Sequence, residues 1–154
     1  MPDQSCGTLV ERIMDEGHLL AIIVSHQFDS AGIHFFTDDD LSQQLAYMRH
    51  PAGRIIEPHV HNPVRREVHY TQEVLFIKRG RLRVDFYSES RVYLASRLLD
   101  AGDVILLATG GHGFEVLEDV EMIEVKQGPY AGDSDKTRFK AASADERATR
   151  GRRT

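Results

Sequence analysis

The chain has 154 residues, of which 41% are hydrophobic and 28% charged, and its formal net charge is −5. This composition is typical of one globular domain with a hydrophobic core, and the negative charge argues against a nucleic-acid-binding surface. The longest apolar run, Leu19 to Val24, is too short to cross a bilayer, and no signal-peptide pattern opens the sequence. A single cysteine, Cys6, excludes an internal disulfide and favours the reducing cytoplasm.

The first third of the sequence predicts a loose start over residues 1–7, a short helix and then strands. Thr8 and Glu11 have the spacing of a capping box, which predicts a helix over Thr8 to Asp15. Turn residues then separate two pairs of apolar segments, and each pair is predicted to form a hairpin. The first pair is Leu19 to Phe28 with Ile33 to Phe36, and the second is Leu45 to Arg49 with Ile55 to His61.

Short strands continue at regular intervals through the middle of the chain. They are predicted over Val68 to Lys78, Leu82 to Ser88, Val92 to Leu99, Val104 to Ala108, Gly113 to Leu117 and Met122 to Gln127. This rhythm, with turn residues every eight to twelve positions, indicates an all-β sandwich or barrel. The hydrophobic pattern then fades, and Lys136 to Thr154 is polar throughout. We predict that this tail is disordered.

The stretch from Gly53 to Gly80 contains the clearest chemical signal. His59 and His61 are one residue apart, so that in a strand both imidazoles would point to the same face. Glu73 opens the apolar strand that follows. Two histidines and a carboxylate on neighbouring strands predict a divalent-metal site, whereas a His-x-His pair alone is often two polar residues on a solvated face.

These residues resemble the first sequence motif of the cupin family, which runs Gly, five residues, His-x-His, a spacer, Glu, six residues, Gly. Gly53 and His59 have the first spacing, and Glu73 and Gly80 the last. The spacer between His61 and Glu73 is longer here, since it consists of residues 62–72 where the family has three or four residues.

Residues 102–114 resemble the second cupin motif, which runs Gly, five residues, Pro-x-Gly, two residues, His, three residues, Asn. The spacing of Gly102 and Gly110 is kept, while Ala108 replaces the proline and His112 arrives one residue early. A shift of one residue along a strand moves a side chain to the opposite face, so the early position of His112 affects the direction in which it points. By parity, His112 shares a face with Phe114 and Val116, and the latter two belong inside a barrel.

The resemblance implies an all-β fold, a cupin-type jelly-roll β-barrel with extra N-terminal strands. The expected single domain covers residues 1–132, with N-terminal strands over 1–50, the core barrel over 51–128 and a disordered polar tail over 133–154. The resemblance further implies a homodimer and one divalent transition metal, Fe, Mn, Ni, Cu or Zn. Its ligands would be His59, His61, Glu73 and His112.

The long spacer offers further candidates. Glu67 and His69 share the strand parity of Glu73, so both are predicted as catalytic groups or as hydrogen-bond partners of the ligands, and His69 is also an alternative metal ligand. Arg65 and Arg66 are predicted to attract an anionic substrate. The alternative is a longer surface hairpin without function. On the last strand, Glu124 and Lys126 alternate, and a solvent-facing ion pair is the favoured interpretation over a cavity lining.

Several functions agree with these residues. The first is a metal-dependent enzyme acting on a small organic substrate that is anionic or sugar-like, as a dioxygenase-like oxidoreductase or as an isomerase, epimerase or lyase. The second is a non-catalytic cupin that binds or senses a small ligand. The third is a metal-free sugar-modifying cupin with His59 or His69 as base. The sequence leaves the reaction open, because a fold does not fix its chemistry.

Overall fold

The computed structural model describes residues 8–150, so that the predictions for residues 1–7, for Cys6 and for the last four residues of the tail fall outside the described part. The chain divides into two compact units. The first contains residues 8–28 and 71–150, and the second contains residues 29–70. Within residues 8–150, no helix has the length and apolar character needed to cross a membrane.

The structure is mostly β, with eight strands and one helix in the described residues. The strands are β1 (Val10–Asp15), β2 (His18–Val24), β3 (Gly32–Phe35), β4 (Ala46–Arg49), β5 (Glu73–Tyr87), β6 (Tyr93–Leu99), β7 (Val104–Leu107) and β8 (Gly111–Lys126), and the helix is α1 (Ala144–Arg150). Six of the strands form a curled antiparallel half-barrel sheet in the first unit, in the order β1-β2-β7-β5-β6, with β8 paired to β5. The predicted all-β class is confirmed.

The long strand β5 organises this sheet. One of its edges pairs with β8 from Glu73 to Tyr87, while the other pairs first with β7 and then, from Leu82 onward, with β6. The register slips between Ile77 and Leu82, where the chain changes neighbour. The sequence predicted a turn at this point between two strands, but the structure has a bend within one continuous strand. The two predicted strands at the end of the sheet are likewise one strand, β8.

The hydrophobic core lies on the concave face of the half-barrel. Alternate residues of β5 point into it, which is the period-2 pattern expected of a strand with one buried face. The buried core cluster comprises Ile13, Leu20, Ala21, Ile23, Leu75, Ile77, Leu82, Val84, Phe86, Leu99, Ile105 and Leu107. These residues hold β1, β2, β5, β6 and β7 together around the concave face.

The predicted N-terminal helix is wrong, because residues 10–15 form β1. This strand pairs antiparallel with β2, and Ile13 packs into the core. A helix of eight residues is marginal by itself, whereas pairing with the apolar β2 satisfies the backbone and buries side chains. The predicted first hairpin is also wrong, since β2 pairs with β1 and β7 rather than with the next strand along the chain.

The second unit contains the two-stranded sheet β3-β4 and a long irregular segment. These two strands pair antiparallel, with Ile33 opposite Met48 and His34 opposite Tyr47. Residues 54–70 contain no helix or strand. The predicted strand over Ile55 to His61, and with it the second predicted hairpin, is therefore wrong. The strand predicted from Val68 starts later, at Glu73.

The polar tail differs from the predicted disorder. Gly132–Asp135 form a 3₁₀ turn, and α1 follows at Ala144–Arg150. Ala142 is buried against Tyr87 and Tyr93, and the Arg150 guanidinium donates a hydrogen bond to the Tyr93 carbonyl at 2.7 Å. A few apolar and hydrogen-bonded anchors order this segment although its composition is polar.

Candidate functional site

Glu73 is a buried carboxylate on the concave face of the half-barrel. The strand register places it in one cross-strand row with Ala21 and Leu107, which are both buried. Glu73 itself is only 9% exposed. A carboxylate in an apolar row is costly unless charged or hydrogen-bonding partners compensate its lost hydration. The partners of Glu73 therefore define the site.

His112 is the first of these partners. His112 lies on β8 and pairs with Phe86, which is near the end of β5. Glu73 is the first residue of β5. Nevertheless, His112 Nε2 lies 3.2 Å from Glu73 Oε2. The two residues meet because Glu73 also pairs with Leu107 on β7, and the chain reaches His112 only five residues after Leu107. The β5–β8 ribbon, the antiparallel pair formed by these two strands, therefore curls so that its ends lie close together. The sequence motifs predicted that Glu73 and His112 converge, and they do.

The neighbours of His112 are less buried than predicted. His112, Phe114 and Val116 face the same side of β8, since all three pair with buried core residues of β5. However, Phe114 is 41% and Val116 55% exposed, so they face the concave side, as the strand parity predicted, without being buried there. Among the described strands, β8 pairs with β5 alone, so its other edge has no strand partner.

Lys126 is the second partner of Glu73. Its Nζ lies 3.3 Å from Glu73 Oε1 and 3.3 Å from Asp135 Oδ2, and the Thr71 hydroxyl donates a short hydrogen bond to Asp135. Lys126 thus points into the site, and the predicted solvent-facing pair with Glu124 is wrong. Asp135 was not singled out from the sequence, because nothing in the local pattern of the tail marks it as a partner of a strand residue.

The electrostatics of this network keep Glu73, Asp135 and Lys126 charged. The hydrogen bond with His112 lowers the pKa of Glu73 below its ordinary value; burial opposes this, and Lys126 adds to the lowering. The Thr71 hydrogen bond likewise lowers the pKa of Asp135. Burial alone would lower the pKa of Lys126, but Glu73 and Asp135 outweigh it, so that this pKa is raised. The ammonium is thus held between two ionised carboxylates.

His59 and His61 belong to the second unit and lie close to each other. Their ring centroids are 5.2 Å apart in an edge-to-face arrangement, and both side chains are exposed. His59 Nδ1 lies 3.0 Å from the Glu57 carbonyl oxygen. The two imidazoles are neighbours, as the His-x-His spacing predicted. They lie on an irregular segment rather than on a strand, because residues 54–61 make no ladder hydrogen bonds.

The other spacer candidates are exposed in the same irregular segment. His69 Nε2 lies 3.6 Å from Glu67 Oε1, and both side chains are well exposed. Arg65 and Arg66 are exposed as well. The expected continuation of the Glu73 strand through Glu67 and His69 is wrong, because β5 begins at Glu73. Their predicted catalytic and substrate-binding roles stay predictions.

The donor chemistry of the first unit fits a transition metal in type but supplies only two donors. Glu73 offers a carboxylate oxygen and His112 an imidazole nitrogen, both common ligands of such ions, which take three or four protein donors. Among the residues that the structure describes, no group of three or more His, Cys, Asp or Glu side chains is placed to hold an ion. His59 and His61 are the further donors that the sequence predicts.

An open pocket lies next to this network. It has a volume of about 240 Å³ and is lined by Lys126 to Ala131 and by Asp135. Its wall therefore includes the ammonium that contacts Glu73 and the carboxylate that anchors this ammonium. A small molecule in this pocket would meet one cation and one anion side by side.

The wider comparisons add nothing to this geometry: no protein-family model, no curated protein and no solved structure matches the chain.

Proposed function

We propose that the protein is a metal-binding, cupin-like jelly-roll protein that acts on a small organic ligand. One divalent transition metal would be bound by His59, His61, Glu73 and His112. One observation carries the proposal. Glu73 and His112, named as ligands from motif spacing, lie 3.2 Å apart on the concave face.

One charge property of the first unit supports a cation site, and one contact opposes it. Ionised Glu73 can bind a metal without first losing a proton, and the lowered pKa keeps it ionised. Lys126 contacts Oε1 of this carboxylate, whereas Oε2 faces His112. Glu73 would therefore offer one oxygen to an ion on the His112 side. When bound, such an ion would supply Lewis-acid chemistry, or redox chemistry if it is Fe, Mn or Cu.

The reaction is proposed only as a class. Phe114 and Val116 on β8 are partly exposed and would offer apolar contact to a small substrate. We propose either a dioxygenase-like oxidation or an isomerase, epimerase or lyase reaction. Glu67 and His69 would move protons, and Arg65 and Arg66 would bind an anionic or sugar-like substrate. A non-catalytic binding or sensing role for the same metal site is the alternative.

Metal analysis of tag-free protein tests the proposal. The chain is purified without a histidine tag, reconstituted separately with Mn, Fe, Ni, Cu and Zn, and its metal content is measured by mass spectrometry. We expect about one equivalent of at least one ion, and a loss of most of it in Glu73→Gln and His112→Ala. The matched control is His18→Ala, since His18 is an exposed strand histidine outside the site. Retention below about a tenth of an equivalent with every ion would overturn the proposal.

A metal-free site is the second candidate, and the Lys126 ammonium 3.3 Å from Glu73 is the observation that favours it. A lysine beside a carboxylate supplies the counter-charge that a metal would otherwise provide. In that case a small ligand would stabilise EDTA-treated protein as strongly as the reconstituted protein. A thermal-shift panel of sugars and organic acids, run on both forms, separates the two candidates.

Two further expectations belong to this proposal. The family resemblance implies a homodimer, which light scattering on the purified protein would detect. The single cysteine favours the reducing cytoplasm, which imaging of the fluorescently tagged chain in cells would check.

A further inference from the structure

One edge of strand β8 is free. The strand has 16 residues and, among the described strands, pairs with β5 alone. A long unpaired edge offers a row of backbone donors and acceptors to another strand. Six large apolar side chains of β8 are also exposed: Phe114, Val116, Leu117, Met122, Ile123 and Val125. A long apolar edge of this kind is typical of a strand that another chain covers.

The irregular segment, residues 54–70, has exposed apolar side chains of its own. It contains no helix or strand. Five of its aliphatic side chains are exposed: Ile55, Ile56, Val60, Val64 and Val68. All five are β-branched, and such residues favour strands. An extended segment of this composition can add to a free sheet edge through its backbone hydrogen bonds.

Charge decides which surface of a second copy would cover β8. Five acidic residues lie on this strand: Glu115, Glu118, Asp119, Glu121 and Glu124. Glu115 and Glu121 pair with cations on β5, but the strand as a whole stays acidic, so that pairing two β8 strands would bring like charges together. The irregular segment has three arginines and two glutamates: Arg54, Arg65, Arg66, Glu57 and Glu67. It is the complementary partner, and a two-fold axis lets each copy supply both surfaces.

The two faces of β8 differ in chemistry. His112 lies on the concave side of the sheet, which is the side of the Glu73–His112 pair. Ile123 and Val125 lie on the opposite, outer side, since they pair with Phe76 and Val74, which alternate with core residues of β5. An added strand that matches β8 therefore needs polar donors on one face and apolar side chains on the other.

The irregular segment has this alternation over residues 54–61. In an extended conformation His59 and His61 share one face, while Ile56 and Val60 share the other. When the histidines face the concave side, the two aliphatic side chains lie beside the outer apolar residues of β8, where cross-strand neighbours pack. Pro58 has no amide N–H, so the added strand would be a poor edge for a third copy. The assembly therefore closes at two copies.

We propose that two copies of the chain exchange this segment, so that residues 54–61 of each copy pair with the free edge of β8 in the other copy. His59 and His61 of each copy would then face the Glu73–His112 pair of the other. Each metal centre would take two donors from each copy, and it would be complete only in the dimer. This role of the histidines rests on the proposed metal function, whereas the strand pairing does not.

Isotope-filtered NMR on EDTA-treated protein tests the pairing without any metal. Equal amounts of ¹³C-labelled and unlabelled 154-residue chain are mixed in urea and refolded together. We expect nuclear Overhauser contacts between the methyl groups of Ile56 and Val60 in one chain and those of Ile123 and Val125 in the other. Contacts between two β8 strands, contacts within single chains only, or a chain that stays monomeric would each overturn the inference.

A charge placed in the proposed contact tests it by sedimentation. Val60→Asp should weaken self-association at least about a hundredfold, because a carboxylate would then lie against apolar side chains of β8. Val60 is 85% exposed in the single chain, so the substitution leaves the core of each copy intact. The matched control is Leu98→Asp, since Leu98 is exposed on β6. Equal dissociation constants for the two variants would contradict the exchange.

Complementation identifies the chain that supplies the histidines. One chain carries His59→Ala and His61→Ala, the other carries Glu73→Gln and His112→Ala, and two affinity tags without histidine isolate the heterodimer. We expect about one metal ion per heterodimer and less than about a tenth of an ion in either homodimer. A heterodimer without metal, when the parent chain binds it, would overturn the exchange of the ligands. If the contacts between chains are present and the parent binds no metal, the strand exchange stands and the proposed metal function fails.

Discussion

The register of the β5–β8 ribbon slips at a glycine, Gly80, and replacing this glycine with alanine is the sharpest test of the fold. Gly80 has a φ of +85°, and a Cβ there would lie 2.1 Å from the carbonyl oxygen of Asp119 on β8. The oxygen belongs to the backbone, so the β5–β8 ribbon would have to shift by about 1 Å to restore a normal contact. Gly17 is a matched control, because its φ is +83° and a Cβ added there would meet no atom within 4 Å.

The two substitutions separate the cost of conformation from the cost of the clash. Placing alanine at a left-handed φ costs roughly 1–2 kcal/mol, and the stiffer unfolded chain returns roughly 0.4–1 kcal/mol. Gly17→Ala should therefore lower the free energy of unfolding by about 1 kcal/mol. Forcing extra volume into a packed contact adds about 1–3 kcal/mol, so Gly80→Ala should cost about 2–4 kcal/mol.

Urea unfolding at 25 °C, followed by circular dichroism with the two variants and the parent chain side by side, measures this difference. The unfolding slopes should agree, because the surface exposed on unfolding is unchanged. Equal losses of stability in both variants would refute the reasoning that the Asp119 backbone closes on Gly80.

Three further predictions concern the core and its buried charges. The Glu73 pKa is lower in the folded chain than its ordinary value of 4.5, so this carboxylate stabilises the fold above that pH and its contribution is lost as the pH falls through the folded pKa. The stability gap between the parent chain and Glu73→Gln, measured by urea unfolding, should shrink between about pH 7 and pH 3, and a constant gap would contradict the role of His112. Asp103 accepts hydrogen bonds from the backbone amides of His26 and Asp100 at 2.7 Å each, so that Asp103→Ala should cost about 2–4 kcal/mol in the same assay, because two donors lose their acceptor. Phe86 is 1% exposed, so Phe86→Ala should lower the free energy of unfolding by about 3–5 kcal/mol. Leu98→Ala, on the exposed side of β6, should lower it by less than about 1 kcal/mol. Similar losses in the two variants would show that the concave face is not the core.

Much of the strand pattern was predictable, since it depends on local alternation. Leu75 and Ile77 alternate with the less buried Val74, Phe76 and Lys78, and this is the sequence signature of a strand with one buried face. Which strands pair was not predictable, because pairing depends on contacts between distant segments. For example, β2 lies between β1 and β7, whereas local turn residues favoured a hairpin with β3.

The candidate site was also predictable only in part. Glu73 and His112 were found from motif spacing, and the curl of the ribbon brings them together. Asp135 and Thr71 carry no such signal, because their contact joins residues 64 positions apart that meet only when the tail folds back. The irregular backbone around His59 and His61 was missed for a different reason. Apolar residues in that segment suggested a strand, but Ile55 and Val60 are both exposed and pack into no core.

The charge of Lys126 distinguishes the two proposed kinds of site, one with a metal ion and one without. Its ammonium neutralises one negative charge between Glu73 and Asp135, so the three groups together carry about one net negative charge when all are ionised. A divalent ion bound through Glu73 would be attracted by two carboxylates and repelled by one ammonium at close range. Replacing Lys126 with methionine removes the repulsion and keeps the packing of the side chain. If the site binds a metal, Lys126→Met should therefore retain the ion, whereas a metal-free site that uses the ammonium as its working charge should lose ligand binding in the same variant.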